Sequence, residues 1–222
     1  SFAKAIDVMI EFIEEIHEEA GVVLEQLNLG GGIGIPYTEE EEKPDISEYA
    51  KIVADEVKDV CDKLDLPLPK IINEPGRSIV GTAGSTLYEV GSIKEIPDIR
   101  KYVAVDGGMS DNIRPALYDA DYEAIIPNKA DQEPEEEVTI TGKCCESGDI
   151  FIEDIELPTA EPGDLLLISC TGAYGYSMSS HYNGLPRPGV LLVNEDSMDW
   201  IVEPETNQDL IANDVVPERL QK

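Results

Sequence analysis

The spacing of hydrophobic residues changes near Gly84, and this change constrains the fold more than any other feature of the sequence. Before it, apolar residues recur every three or four positions over residues 2–20 and 46–64, which is typical of amphipathic helices. Short apolar runs at 24–29 and 70–73 follow these helices and predict buried strands. Such alternation predicts parallel strands joined by crossover helices.

After Gly84 no long helical periodicity returns, and short strand-like runs separated by turns take its place. Such a pattern is typical of an all-β barrel or sandwich. The predicted strands are residues 86–96, 102–105, 124–126, 138–141, 165–169, 190–193 and 200–202. A short helix is predicted at 207–212. The chain is therefore predicted to be α/β in its first part and all-β in its second.

The charge balance narrows the range of partners. The 222 residues carry 47 acidic and 16 basic side chains, a formal net charge of −31. Proteins bind nucleic acids and anionic membrane surfaces through Lys and Arg side chains, so neither is an expected partner of this acidic chain. Because the acidic residues occur in every segment, they predict a charged folded surface of the kind that halophilic proteins use.

A high-salt cytoplasm is therefore predicted for this protein. The free energy of unfolding is expected to rise from dilute buffer to molar KCl, because salt screens repulsion between the surface carboxylates. Urea titrations at the two salt concentrations would test this. Equal stability in both would contradict it.

The cysteines and the apolar runs bear on the compartment. Cys61, Cys144, Cys145 and Cys170 contain no CxxC pair and no disulfide-framework spacing, which favours a reducing cytoplasm. No apolar run has the length of a membrane span. His181 has no partner at metal-ligand spacing, so no metal site is expected.

Two glycine-containing stretches follow the predicted strands of the first part. Residues 30–34 form a glycine-rich turn whose backbone N–H groups could hold a phosphate, although it matches neither the Walker nor the GxGxxG pattern. Residues 73–78 place Glu74 and Arg77 at the mouth of the next strand, where ligands bind in α/β folds. A surface turn with an incidental ion pair is the alternative for this second stretch.

Three stretches of the second part carry more polar and reactive groups than a β domain needs. In residues 106–118, Arg114 and Tyr118 are spaced to share one face of a helical turn. Arg114 could clamp a carboxylate or form a surface ion pair. Residues 144–149 place a thiol beside a carboxylate, although free cysteines are more often buried packing. Residues 171–183 form a small-residue loop rich in hydroxyls.

Together these stretches resemble the diaminopimelate decarboxylase family, in order and spacing along nearly the whole chain. The family comprises pyridoxal-phosphate enzymes with an alanine racemase-like (β/α)8 barrel and a C-terminal β domain. The resemblance therefore implies that residues 1–84 are the later part of a TIM barrel and residues 85–222 a Greek-key-like β-barrel domain. The matching segments are residues 27–37, 74–78, 106–118, 145–149, 172–174, 182–183 and 187–188.

The resemblance also implies a function, decarboxylation of meso-2,6-diaminopimelate to L-lysine and CO2, and roles for named residues. Gly32, with the backbone of Gly76 and Arg77, would hold the phosphate of pyridoxal 5'-phosphate, and Glu74 would pair with its pyridine nitrogen. The roles implied in the second part concern the substrate and its proton. Arg114, Tyr118 and Arg77 would bind a substrate carboxylate, and Glu146 would bind the distal ammonium. Cys145 would donate the proton. Tyr174 would contact both the cofactor and the substrate.

The resemblance further implies a homodimer in which the loop of Cys145 and Glu146 reaches the partner's site. The family's Schiff-base lysine has no counterpart in the matching segments. The chain is therefore expected to be the back part of a longer protein and to have little or no activity alone. The alternatives are a related decarboxylase of ornithine, arginine or carboxynorspermidine, and a non-catalytic binding or regulatory homologue. Arg114 and Glu146 favour diaminopimelate, because ornithine enzymes carry Asp after the catalytic Cys.

Overall fold

A computed structural model describes residues 2–221 in two compact units. Ser1 and Lys222, the end residues of the two predicted domains, lie outside the described range. The first unit ends at Ile79 and the second begins at Val80. No helix within residues 2–221 is both long enough and apolar enough to cross a membrane.

The first unit alternates helix and strand, as predicted. Its elements are α1 (Phe2–Ala20), β1 (Gln26–Asn28), α2 (Ile46–Leu64) and β2 (Lys70–Ile72). The one-turn helix α3 (Arg77–Val80) follows and ends at the first residue of the second unit. Gly21 ends α1 in the left-handed region, with φ 64°, and its N–H donates to the His17 carbonyl. The Asp45 carboxylate caps α2 by accepting hydrogen bonds from the N–H groups of Ser47 and Glu48.

The two strands of this unit pair in parallel, with Leu27 opposite Ile71, which confirms the predicted orientation. The first strand is shorter than residues 24–29. The apolar faces of α1 and α2 pack together with the strands in two small clusters. The buried members are Ile6, Ile10 and Val53 in one, and Leu27, Val57 and Cys61 in the other. The unit is therefore α/β, and its membership of a larger barrel stays a prediction.

The second unit is built on a mixed six-stranded sheet. Its strands are β3 (Thr86–Ile96), β4 (Arg100–Val105), β5 (Ala124–Ile125), β6 (Glu136–Thr141), β7 (Ile150–Leu157) and β8 (Leu165–Ile168), in the order β5-β8-β3-β4-β6-β7. All pairs are antiparallel except β4 with β6. This agrees with the predicted all-β domain, and closure into a Greek-key barrel stays a prediction.

Strand β3 shapes this sheet because it pairs with two neighbours in turn. Residues 86–89 pair with β8, and residues 90–96 pair with β4 across an irregularity near Gly91. Such a bulge bends a strand, so one strand serves both halves of the sheet. The core of this unit contains fully buried aliphatic side chains: Val90, Val103, Ile126, Val138, Ile140, Leu166 and Ile168.

Two short α-helices and a two-stranded hairpin lie outside this sheet. The helix α4 (Arg114–Tyr118) follows β4, and β9 (Val190–Val193) and β10 (Met198–Val202) form a separate antiparallel hairpin. The helix α5 (Asn207–Leu210) confirms the predicted C-terminal helix in shortened form, with Thr206 as its capping residue. Strand β7 was not predicted from the sequence.

Gly172 is expected to be essential for the stability of this unit. A Cβ at this position would lie 1.9 Å from the Val80 carbonyl oxygen and 2.8 Å from the Gly84 nitrogen, both backbone atoms. Since backbone cannot move aside cheaply, Gly172→Ala should lower the free energy of unfolding by roughly 1–3 kcal/mol or more. Urea denaturation measures this.

Gly148→Ala is the matched control, because nothing lies within 4 Å of its added Cβ. This variant should stay within about 0.5 kcal/mol of the unmodified chain. Equal stabilities of the two variants would contradict the close packing of residues 80–84 on Gly172.

Candidate functional site

The first unit carries a glycine turn directly after β1. Gly30 and Gly32 have φ of 69° and 88°, in the left-handed region that favours glycine. A Cβ on Gly31 would lie 2.3 Å from the Glu74 carbonyl oxygen. The Glu74 N–H donates to the Gly30 carbonyl at 2.7 Å. The backbone of the turn therefore packs closely on the backbone at Glu74.

Asn28 orients the carboxylate of Glu74. Its Nδ2 donates to Glu74 Oε1 at 2.7 Å, while its Oδ1 accepts from the Gly30 N–H at 2.8 Å. One amide thus fixes both the carboxylate and the glycine turn. This role of Asn28 could not be predicted, because Asn28 and Glu74 are 46 residues apart along the chain and only the pairing of β1 with β2 brings them together.

Arg77 begins α3 and contacts Tyr37. The guanidinium lies 5.8 Å from the centre of the Tyr37 ring and donates to its hydroxyl at 3.5 Å. Within the described residues no ion pair joins Arg77 to Glu74, so the two charges do not neutralise each other. The incidental ion pair left open by the sequence is therefore absent. Pro75 and Gly76 separate Glu74 from Arg77, and the Gly76 carbonyl accepts a hydrogen bond from the Ile79 N–H.

In the second unit, Arg114 lies at the start of α4 and is only 8% exposed. Its Nε donates to the Tyr122 hydroxyl at 3.0 Å. The guanidinium carbon lies 5.4 Å from the Tyr118 ring centre and 5.6 Å from that of Tyr174. The predicted shared face of Arg114 and Tyr118 is confirmed, and both rings lie within cation–π distance of the guanidinium.

The loop after β6 presents a thiol and a carboxylate. Cys145 is exposed, so the packing role that its spacing left open does not apply to it. Cys144 is half-buried, and burial together with the nearby Asp149 charge raises the pKa of its thiol. Glu146 accepts from the Gly148 N–H and from the Tyr182 hydroxyl at 3.0 Å, and these bonds lower the pKa of Glu146. Glu146 is therefore a carboxylate at neutral pH.

Backbone hydrogen bonds bring the three predicted loops of this unit together. The Lys143 N–H donates to the Gly107 carbonyl, and the Ser180 N–H donates to the Ser110 carbonyl, both at 2.8 Å. The loops of Arg114, of Glu146 and of Tyr182 therefore form one cluster. Sequence reasoning had not identified Tyr122 as the partner of Arg114, nor Asp149 as a buried contact between two of these loops.

A charged cluster attaches the third loop to the chain after β10. The Arg187 side chain donates two hydrogen bonds to Glu205 Oε1, and its N–H donates to Oε2 at 2.9 Å. His181 Nε2 lies 2.5 Å from the same Oε2. Chiefly through the Arg187 side chain, these contacts lower the pKa of Glu205 from 4.5 to about 2.

Glu205 is expected to contribute stability that acid removes. Because its folded-state pKa is depressed, the contribution is complete above its unfolded-state value and is lost as the pH falls through about 5 towards 2. Glu205→Gln should therefore be less stable than the unmodified chain at pH 7, and the difference should shrink as the pH approaches 3. Urea titrations across this range measure it.

The exposed neighbour Glu203 provides the control, because Glu203→Gln removes the same charge without these contacts. It should change stability little at either pH. A Glu205→Gln deficit that stays constant from pH 7 to pH 3 would contradict the assigned ionic contacts.

The chain is similar to known proteins in sequence and in fold. The chain is 48% identical over 214 residues to the diaminopimelate decarboxylase of Bacillus subtilis, covering 96% of the chain and 49% of that protein. It is 49% identical over 200 residues to that of Synechocystis sp., covering 90% and 43%. The crystal structure of diaminopimelate decarboxylase from M. jannaschii in complex with L-lysine superposes with a TM-score of 0.89, at 40% identity, over 99% of this chain and 49% of that one.

Residues 22–172 match the family model described as pyridoxal-dependent decarboxylase, C-terminal sheet domain. The chain belongs to this family. It spans about half the length of the curated relatives that it matches.

Proposed function

We propose that this chain forms part of a pyridoxal-phosphate-dependent diaminopimelate decarboxylase, which releases CO2 from meso-2,6-diaminopimelate to give L-lysine. The observation that carries the proposal is the loop cluster of the second unit. It combines the buried, ring-stacked Arg114 with the exposed Cys145 and the ionised Glu146. A substrate with a second carboxylate and a distal ammonium requires one cation and one anion of this kind.

The first unit has features that fit pyridoxal phosphate. Its glycine turn presents backbone without side chains, which suits the phosphate, and Gly32 and Gly76 would lie against it together with the backbone of Arg77. The exposed Glu74 carboxylate, oriented by Asn28, would accept a hydrogen bond from the pyridine nitrogen. The bound cofactor would supply an electron sink for the bond broken when CO2 leaves. The lysine that would hold it covalently is not assigned to any residue of this chain.

The residues of the second unit would bind the substrate and move a proton. Arg114 would bind the distal carboxylate, with Tyr118 and Tyr174 limiting the movement of its guanidinium. Arg77 of the first unit would contribute to carboxylate binding. Glu146 would bind the distal ammonium, and the exposed Cys145 would donate the proton that replaces CO2.

The substrate is tested with the complete protein that includes this sequence. The rate of CO2 release should be much higher from meso-diaminopimelate than from ornithine or arginine. Preference for ornithine or arginine would replace the proposal by the related decarboxylases. Failure to bind pyridoxal phosphate and to release CO2 from any of the three would favour a non-catalytic homologue.

The proposal includes a homodimer with shared sites in a high-salt cytoplasm. Four free thiols, among them Cys144 and Cys145, support a reducing compartment, and the net charge of −31 supports high salt. If sites are shared, mixing an inactive Glu74 variant with an inactive Cys145 variant should restore activity. Sedimentation as a monomer with no such complementation would contradict the homodimer.

A further inference from the structure

Asp149 is a buried carboxylate for which the proposed chemistry has no direct use. It is 4% exposed and lies at the end of the loop that carries Cys145 and Glu146. Its Oδ1 accepts a hydrogen bond from the Met109 N–H at 2.6 Å, and its Oδ2 accepts one from the Cys144 N–H at 2.6 Å. The two donors belong to different loops, so one carboxylate joins them.

Two glycines beside Asp149 leave room for its carboxylate because they have no side chain. A Cβ on Gly108 would lie 2.9 Å from Asp149 Oδ2, and a Cβ on Gly142 would lie 2.3 Å from the same oxygen. Both loops therefore approach the carboxylate with bare backbone. The Asp149 backbone also closes its own loop, since its carbonyl accepts from the Gly142 N–H and its N–H donates to the Glu146 carbonyl.

We propose that Asp149 is a positioning residue that fixes the Cys145–Glu146 loop against the loop leading to Arg114. The inference rests on the proposed roles of Cys145 and Glu146. By holding the Cys144 N–H, the carboxylate fixes the backbone immediately before the proton donor. By holding the Met109 N–H, it fixes the loop that leads into α4, where Arg114 lies. The distance between the two substrate-binding charges thus depends on one side chain that does not touch substrate.

Asparagine at this position tests the proposal with little change in volume. An amide offers a single acceptor oxygen, so it can keep one of the two backbone N–H bonds and must place its own NH2 group against the other donor. In Asp149→Asn, hydrogen exchange of the Met109 or Cys144 amide should become about ten- to a hundredfold faster, as expected for loss of a hydrogen bond to a charged group. Alkylation of Cys144 should also become faster relative to Cys145.

Asp164→Asn is the matched control. Asp164 is another buried carboxylate of the same unit, 7% exposed, and it binds Lys129, Asn128 and the Glu161 N–H. Its variant should lose stability without changing exchange at Met109 or Cys144. If Asp149→Asn does not fold, hydrogen exchange of the unmodified chain still tests the proposal. The Met109 and Cys144 amides should be as protected there as the amides of the sheet. Free exchange at both would overturn the proposal.

A double-mutant cycle in the complete holoenzyme supplies the functional test. If Asp149 acts through the loop, its substitution should lower kcat/KM about ten- to a hundredfold, and much less when Cys145 is already serine. Asp164→Asn should combine additively with Cys145→Ser. If the effects of Asp149→Asn and Cys145→Ser on kcat/KM are additive, Asp149 stabilises the fold and does not act through the loop. If the holoenzyme releases no CO2 at all, the proposed function fails, while the exchange measurements still decide the role of Asp149.

Discussion

Replacing Cys145 with serine in the complete enzyme is expected to lower kcat about 10²–10⁴-fold, the contribution typical of a positioned proton donor. A serine hydroxyl at this exposed position occupies nearly the same volume but releases its proton far less readily than a thiol. Binding of the cofactor should be unchanged, since its proposed contacts come from residues 30–34 and 74–77 and from Tyr174, and none from Cys145. Steady-state kinetics of CO2 release, together with the cofactor content of the purified variant, measure both.

The adjacent thiol supplies the control. Cys144 is half-buried and its pKa is raised by burial, so it is a poorer proton donor in the same loop. Cys144→Ser should therefore keep most of the activity. Equal losses in the two variants would indicate a disturbed loop, and an active Cys145→Ser enzyme would remove the thiol from the mechanism.

Replacing Arg114 with lysine is expected to lower kcat/KM for diaminopimelate about 10–100-fold, because a hydrogen-bonded charge contributes roughly 1.5–3 kcal/mol. Lysine keeps the charge but lacks the planar fork, so it cannot donate Nε to Tyr122 and still bind a carboxylate with two bonds. Residual CO2 release from ornithine, which has no distal carboxylate, should change much less. Competition between the two substrates measures the lost selectivity directly.

Arg100→Lys is the appropriate comparison within the same unit. Arg100 of β4 pairs with Glu153 and Asp154 of β7 across the intervening strand β6, and it is assigned no ligand contact. Surface pairs of this kind contribute little, so activity and selectivity should both be unchanged. If Arg114→Lys lowered the rates for both substrates by the same factor, the arginine would serve the fold and not the distal carboxylate.

The sequence predicted those elements correctly whose pattern involves residues close together along the chain. The period of three to four residues predicted α1 and α2, and the Arg114–Tyr118 spacing predicted one helical face. Strand β7 was missed because Asp154 has φ 53° and forms a bulge opposite β6. A bulge shifts the side chains by one position, which breaks the alternation of apolar and polar residues that identifies a strand.

The sequence by itself determined the two-part architecture, the glycine turn and the residue types of the candidate site, because these follow from short-range sterics and hydrophobic period. Only the tertiary structure decided which partner orients each of these groups. Glu74 depends on Asn28, 46 residues away, Glu146 on Tyr182, 36 residues away, and the Met109 N–H on Asp149, 40 residues away. Contacts at such separations depend on strand register and loop packing, which no local pattern specifies.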